Sequence, residues 1–238
     1  MFVPAFASIG FQSDPIGSIL LVALVIVSLG VHEAAHAWAA WKCGDSTAKD
    51  LGRMTLNPIV HIDLFMTIIL PALCLMTGAP LFGGAKPVPV NFNRLRKPWT
   101  DMMVVALAGP FSNLLIAVVL FALMKLFMMT GFYNDAASTV AGRAGDLLPR
   151  VLYDASNMNV LLFAFNLIPI PPLDGSRVGV QLLPPSMRES YLALGAFGLF
   201  IIYGLINFVP GFQHFFFYDV YFPLTDIVRQ VATLGGRW

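Results

Sequence analysis

Apolar residues in this chain come in runs too long for a soluble core. Five runs lie near the ~20 residues that a helix needs to cross a hydrocarbon layer. They are Ile16–Trp41, Ile59–Thr77, Met102–Thr130, Val151–Leu183 (interrupted by prolines) and Tyr191–Val209. A weaker run, Phe212–Leu224, is aromatic and carries Asp219, which suits a membrane interface. Between the second and third runs, Lys86-Pro87-Val88-Pro89-Val90-Asn91-Phe92 alternates and carries prolines, as an edge strand or re-entrant hairpin would. The pattern predicts an all-α polytopic membrane protein with about five or six transmembrane segments and a short re-entrant β-hairpin. Residues 1–238 are expected to form a single membrane-embedded domain.

Composition agrees with a bilayer as solvent. Apolar residues make up 58% and charged residues 11%, against roughly 45–50% and about 25% in ordinary globular chains. Residues 1–15 contain no Lys or Arg, so the first run does not read as a cleaved signal peptide. The net charge of +1 gives no case for nucleic acid as a partner. Cys43 and Cys74 lack CxxC spacing, and neither a disulfide framework nor a thiolate metal site is expected. If all five runs span, Lys and Arg divide seven to six between the two faces. Lys42, Lys49, Arg53, Arg143, Arg150, Arg229 and Arg237 then oppose Lys86, Arg94, Arg96, Lys97, Arg177 and Arg188, a balance that sets no orientation.

Chemistry concentrates in the first run, at His32-Glu33-Ala34-Ala35-His36. Residues four apart on a helix lie about 40° apart around the axis and ~6 Å along it, so both imidazoles project from one face and can hold one metal ion. Glu33 is placed to reach a water on that metal. Two histidines plus a carboxylate suit zinc, with a fourth position left for water. The chain has only four His and two Glu, and half of each falls within these five residues. Ionisable groups at membrane depth cost ~2.5–3.5 kcal/mol each on insertion scales, which makes them functional by default.

A third ligand has three candidates. Asp174 closes Asn166-Leu167-Ile168-Pro169-Ile170-Pro171-Pro172-Leu173-Asp174-Gly175, where prolines break the helix. Irregular backbone at membrane depth is tolerated only against protein or a water-filled cavity. His61, at the start of the second run, suits an interfacial or supporting place, and Asp101 looks like a helix N-terminal acid. Residue chemistry favours Asp174 over His61. The geometry leaves two arrangements open. If Ile59–Thr77 spans, the motif helix and the Asp174 segment are antiparallel; if it is re-entrant, with Pro71, they are parallel.

These residues resemble the paired signatures of the site-2 protease family of intramembrane zinc metalloproteases. Further blocks look like its compact bacterial branch: Gly44 through Lys49, Gly52 through Pro58, His61-Ile62-Asp63, Ala85 through Asn91, and Ala108-Gly109-Pro110-Phe111-Ser112-Asn113. Gly84 departs from an expected Trp, and Ser176 from a commoner Gly; neither is a ligand. The resemblance implies one Zn2+ held by His32, His36 and Asp174, with Glu33 as general base. It implies a catalytic core without PDZ or CBS domains, multi-pass in the bacterial cytoplasmic (inner) membrane. The substrate would be a membrane protein, commonly single-span, and the bilayer the other partner. Asn113 and Asn166, both in family motifs, are candidate catalytic donors to the oxyanion, with helix–helix hydrogen bonding as their rival role. A zinc transporter and a non-catalytic membrane scaffold are the rival functions.

Overall fold

The computed structural model describes residues 15–69, 83–129, 140–195 and 197–234. The predicted span Ile59–Thr77 from residue 70 on, together with Cys74, Thr130 and Arg237, lies outside them. The described residues form helices α1 (Pro15–Lys42), α2 (Thr47–Asp50), α3 (Pro98–Met129), α4 (Val140–Asn166), α5 (Gly175–Gly179), α6 (Pro185–Leu192), α7 (Phe197–Phe208), α8 (Pro210–His214) and α9 (Phe222–Ala232). Two of them, α1 and α3, are long and apolar enough to cross a membrane, and α6 with α7 makes a third if that bent pair is one broken span. Among the described residues, five or six spans are therefore not found.

Helices α1, α3 and α4 form the centre of the bundle. Ser156 Oγ donates to the Ala117 carbonyl at 2.9 Å. The Phe111 and Phe163 rings lie 5.5 Å apart, and those of Phe121 and Tyr153 6.3 Å. Rising numbers on α3 thus meet falling numbers on α4, so these two helices are antiparallel. Small side chains on α1 (Ala37, Ala39 and Ala40) are buried, and they let neighbouring helices come close. Leu21, Ala117, Leu120, Phe121, Leu152 and Ala155 share one core with Phe216, Phe217 and Val228 from the C-terminal part.

The connection from α1 to α3 decides the topology. At the end of α1, Asp45 N–H donates to the Ala40 carbonyl and Gly44 N–H to that of Trp41, at 2.9 and 3.1 Å. This pair of bonds is the Schellman termination, and it needs a left-handed residue; Gly44 supplies φ of 112°. At the far end of the connection, Arg96 N–H donates to the Cys43 carbonyl at 3.0 Å. The chain therefore leaves and re-enters the bundle at one end, α1 and α3 are antiparallel, and α1 and α4 are parallel. The described part of Ile59–Thr77 is not a straight helix. Residues 58–61 form a 3-10 turn and 64–69 a π-type turn.

This corrects the charge balance. Lys42, Lys49, Arg94, Arg96 and Lys97 lie at the same end, because the two ends of the connection meet there. Trp41 lies under both Lys42 and Lys49, at 4.7 and 4.6 Å, and Trp99 lies under Arg188 at 4.5 Å, which marks that end as an interface.

The β-hairpin is a second correction. Among the described residues there is no strand. Residues 83–91 run without helix or turn, and their N–H groups go elsewhere. Lys86 donates to the His61 carbonyl at 2.7 Å, Val88 to Glu33 Oε2 at 2.9 Å, and Asn91 to Asp45 Oδ2 at 2.6 Å. Pro87 and Pro89, between them, have no N–H to give.

Asp45 fastens this segment to the end of α1. It is wholly buried and accepts from Asn91 N–H and from the N–H and hydroxyl of Thr47. Burial pushes its carboxyl up, but those donors and Arg94 outweigh burial and hold it below the ordinary carboxylate range. A lowered folded value stabilises the fold above the unfolded pKa of about 3.9, and that contribution disappears as pH falls through the folded value. Asp45→Asn turns an amide group toward one of these donors. It should cost about 1–3 kcal/mol at neutral pH, and should flatten the acid side of a thermal-stability profile in detergent from pH 7 to 3. A wild type and variant that lose stability in parallel below pH 4 would contradict this role.

Candidate metal centre

The His32 and His36 side chains leave α1 one turn apart and are nearly inaccessible, at 5% and 7%. Their Nε2 atoms converge to 3.0 Å. The proline-rich turn after α4 brings Asp174 to them, with its Oδ2 3.1 Å from His32 Nε2 and 3.3 Å from His36 Nε2. Three atoms from two distant parts of the chain thus make a small triangle.

The tautomers are set by what the other ring nitrogens face. His36 Nδ1 lies 2.7 Å from the Val105 carbonyl, which can only accept. His32 Nδ1 lies 2.7 Å from Asn113 Oδ1. Each Nδ1 therefore carries the hydrogen and donates it, and each Nε2 of the neutral rings is a lone pair. Asp174 Oδ2 is buried and has no hydrogen-bond partner. Three electron-rich atoms face one point, an arrangement that a cation resolves. Zinc–ligand bonds of about 2.0–2.1 Å in tetrahedral geometry place ligand atoms about 3.3–3.4 Å apart. The observed separations of 3.0, 3.1 and 3.3 Å fit that shape. Imidazole and carboxylate donors suit zinc.

Helix α3 permits this by passing very close. A Cβ on Gly109 would overlap the His36 ring and stand 2.7 Å from His32 Cε1. Pro110 follows, without the N–H that would bond the Ala106 carbonyl, and loosens the ladder beside the histidines. On the opposite wall, a Cβ on Gly175 would collide with the Leu167 carbonyl, so the turn that carries Asp174 closes tightly on itself. Ser176, where a glycine was the commoner expectation, is accommodated in a buried position. Gly84, the other departure, has open space around it.

The remaining expected residues fall into place as follows. Glu33 is half-buried next to the cluster and accepts from Val88 N–H. His61 is buried away from the cluster, its Nε2 on the Thr55 carbonyl at 3.0 Å, and braces the connection. Asp101 Oδ2 accepts from Lys97 N–H at 2.7 Å, as a helix N-terminal acid does. Asn113 reaches the site; its oxygen faces His32 and one hydrogen of its amide goes to Asn159 Oδ1 at 3.3 Å. Asn166 Nδ2 donates to the Leu162 carbonyl at 3.0 Å. Sequence reasoning missed Asn159, Ser28, and the backbone groups of Val105 and Val88. Asn159 carried a usable signal, an amide within an apolar segment, whereas backbone groups carry none.

The chain matches Peptidase family M50 over residues 20–206. Two relatives named "Putative zinc metalloprotease" are similar to it. YwhC of Bacillus subtilis (strain 168) is 41% identical over 190 residues, which cover 80% of each chain. Rip2 of Mycolicibacterium smegmatis is 29% identical over 222 residues, covering 92% of this chain and 79% of its own. No solved structure matches the chain.

Metal analysis separates the ligands from their neighbours. Asp174→Ala and Gly109→Ala should each reduce bound zinc severalfold under metal-replete conditions, the second by steric overlap alone. His61→Ala should leave zinc stoichiometry at the wild-type level. Full zinc in Asp174→Ala, or depletion in His61→Ala, would reassign the third ligand.

Proposed function

The chain belongs to peptidase family M50, and from that premise we propose that this zinc metalloprotease hydrolyses peptide bonds in or near transmembrane segments of membrane proteins. The observation that carries the reading is the position of the metal cluster on α1, a helix long and apolar enough to cross a membrane. His32 and His36 lie ten and six residues before its end at Lys42, or about 15 and 9 Å inside it. A site at that depth meets substrates that are themselves in the bilayer.

Zinc, when bound, supplies Lewis acidity toward the scissile carbonyl and lowers the pKa of water. The rest is done by the chain. His32, His36 and Asp174 hold the ion. Glu33 takes a proton on its carboxylate and returns it to the departing amine. Val88 N–H, on Glu33 Oε2, fixes the direction of that carboxylate and leaves the other oxygen for the proton. Asn113 and Asn166 are the proposed oxyanion donors, each through the amide hydrogen not used on Asn159 or on Leu162.

A transmembrane helix hides its carbonyls in hydrogen bonds, so the substrate has to be unwound at the site. The extended segment 86–90 is the proposed docking edge. Successive residues of an extended chain point their polar groups to opposite sides. Lys86 and Val88 spend their N–H groups inward, and Pro87 and Pro89 have none to offer outward. The open edge therefore presents carbonyls, and a substrate strand would donate to it. The charge distribution supports an orientation in a cytoplasmic (inner) membrane. Lys42, Lys49, Arg94, Arg96, Lys97 and Arg188 gather at the end of α1 nearest the metal site, against Lys125, Arg150 and Arg229 at the other end. By the positive-inside rule the first end faces the cytoplasm.

Glu33→Gln tests the whole reading against a transporter or a scaffold. It should keep wild-type zinc and lose cleavage of a single-span test substrate by at least about 10²-fold. Undiminished cleavage would refute the assigned base. Deleting residues 86–92 should abolish cleavage with zinc retained; cleavage that persists would refute the docking edge.

A further inference from the structure

The two histidines are held in different ways, and the difference points to residues outside the cluster. The His36 partner is a backbone carbonyl, which presents an acceptor whatever the side chains do. The His32 partner is the side-chain amide of Asn113. An amide turned by 180° offers a donor instead. Against a donor, His32 Nδ1 would have to accept, its hydrogen would move to Nε2, and the lone pair aimed at the metal would be lost.

A buried chain of hydrogen bonds settles which way Asn113 points. Asn159 Nδ2 donates to the Ala155 carbonyl at 2.9 Å and to Ser28 Oγ at 3.0 Å, which uses both of its hydrogens. Ser28 in turn donates to the Leu24 carbonyl at 2.9 Å, so its oxygen is turned to accept. The Ala155 and Leu24 carbonyls cannot donate, and they fix the direction of everything downstream. Asn159 Oδ1 then faces Asn113 Nδ2, and Asn113 Oδ1 faces His32 Nδ1. Asn113 and Asn159 are wholly buried and Ser28 is 2% exposed, so water does not compete for these bonds.

We infer that Asn159, supported by Ser28, is a positioning residue for zinc: through Asn113 it locks His32 as the Nδ1–H tautomer with Nε2 free for the metal. The inference rests on the reading of His32 as a zinc ligand. Outer partners of this kind are worth about 10–100-fold in metal affinity.

The test is a mutant cycle on the full chain in detergent, read as zinc affinity by chelator competition. Asn159→Leu removes the group that orients Asn113 and should weaken zinc binding about 10–100-fold, with the helical content of the metal-free protein unchanged. Asn113→Asp replaces the reversible amide with a carboxylate, which accepts from His32 Nδ1 in either orientation. Combined with Asn159→Leu it should restore affinity to within about 3-fold of wild type. A packing role for Asn159 would show no such rescue. If Asn159→Leu fails to fold, Ser28→Ala gives the same cycle at smaller amplitude, a loss of about 3-fold that Asn113→Asp cancels. Wild-type affinity in Asn159→Leu, or a loss that Asn113→Asp leaves in place, would overturn the inference. His32→Ala is the control. If it binds zinc as the wild type does, the ligand reading itself fails; if it is depleted while Asn159→Leu is not, only the positioning role fails.

Discussion

Two imidazole nitrogens and a carboxylate oxygen sit within 3.3 Å of one another, all turned lone pair first toward the same point. Both neutral rings spend their one hydrogen on the far side, at Asn113 Oδ1 and the Val105 carbonyl. Such a cluster of lone pairs is suited to hold a divalent cation. Much of the surrounding architecture answers to this requirement. Helix α3 passes close enough that only a glycine fits at position 109, the proline turn after α4 folds over Gly175 to deliver Asp174, and the alanines of α1 let the neighbouring helices approach.

The same centre is tied to the connection between α1 and α3. Val88 holds Glu33, Lys86 holds the His61 carbonyl, and Asn91 is held by Asp45 just past the end of α1. A segment that reads in one dimension as an edge strand or re-entrant hairpin is thus fastened at both the Glu33 carboxylate and the helix terminus. Movement of this segment and placement of the Glu33 carboxylate are mechanically linked.

The metal cluster was legible in the sequence because a helix converts a spacing of four into a shared face, and because an aspartate behind three prolines has few other uses at membrane depth. Asp101 was legible for a similar reason, as an acid in a first helical turn. The β-hairpin was not. Alternation with prolines describes an extended chain equally well, and which acceptors take its N–H groups depends on tertiary contacts with Glu33, His61 and Asp45. The even split of Lys and Arg failed because a run of apolar residues does not say whether the chain crosses or returns. Tertiary contacts such as the bonds of Arg96 to Cys43 and of Asn91 to Asp45 decide where its ends lie. For Asn113, sequence indicated the neighbourhood but not the direction of the amide, which is set by Asn159 from another helix.

The prolines at 87 and 89 have a consequence for how copies of this protein coexist in a crowded membrane. Exposed backbone edges invite identical chains to zip together. Over this stretch, however, the outward side is acceptors alone, and two surfaces made only of acceptors cannot bond to each other. Pairing of this stretch with the same stretch of a second copy therefore finds no donor on either side.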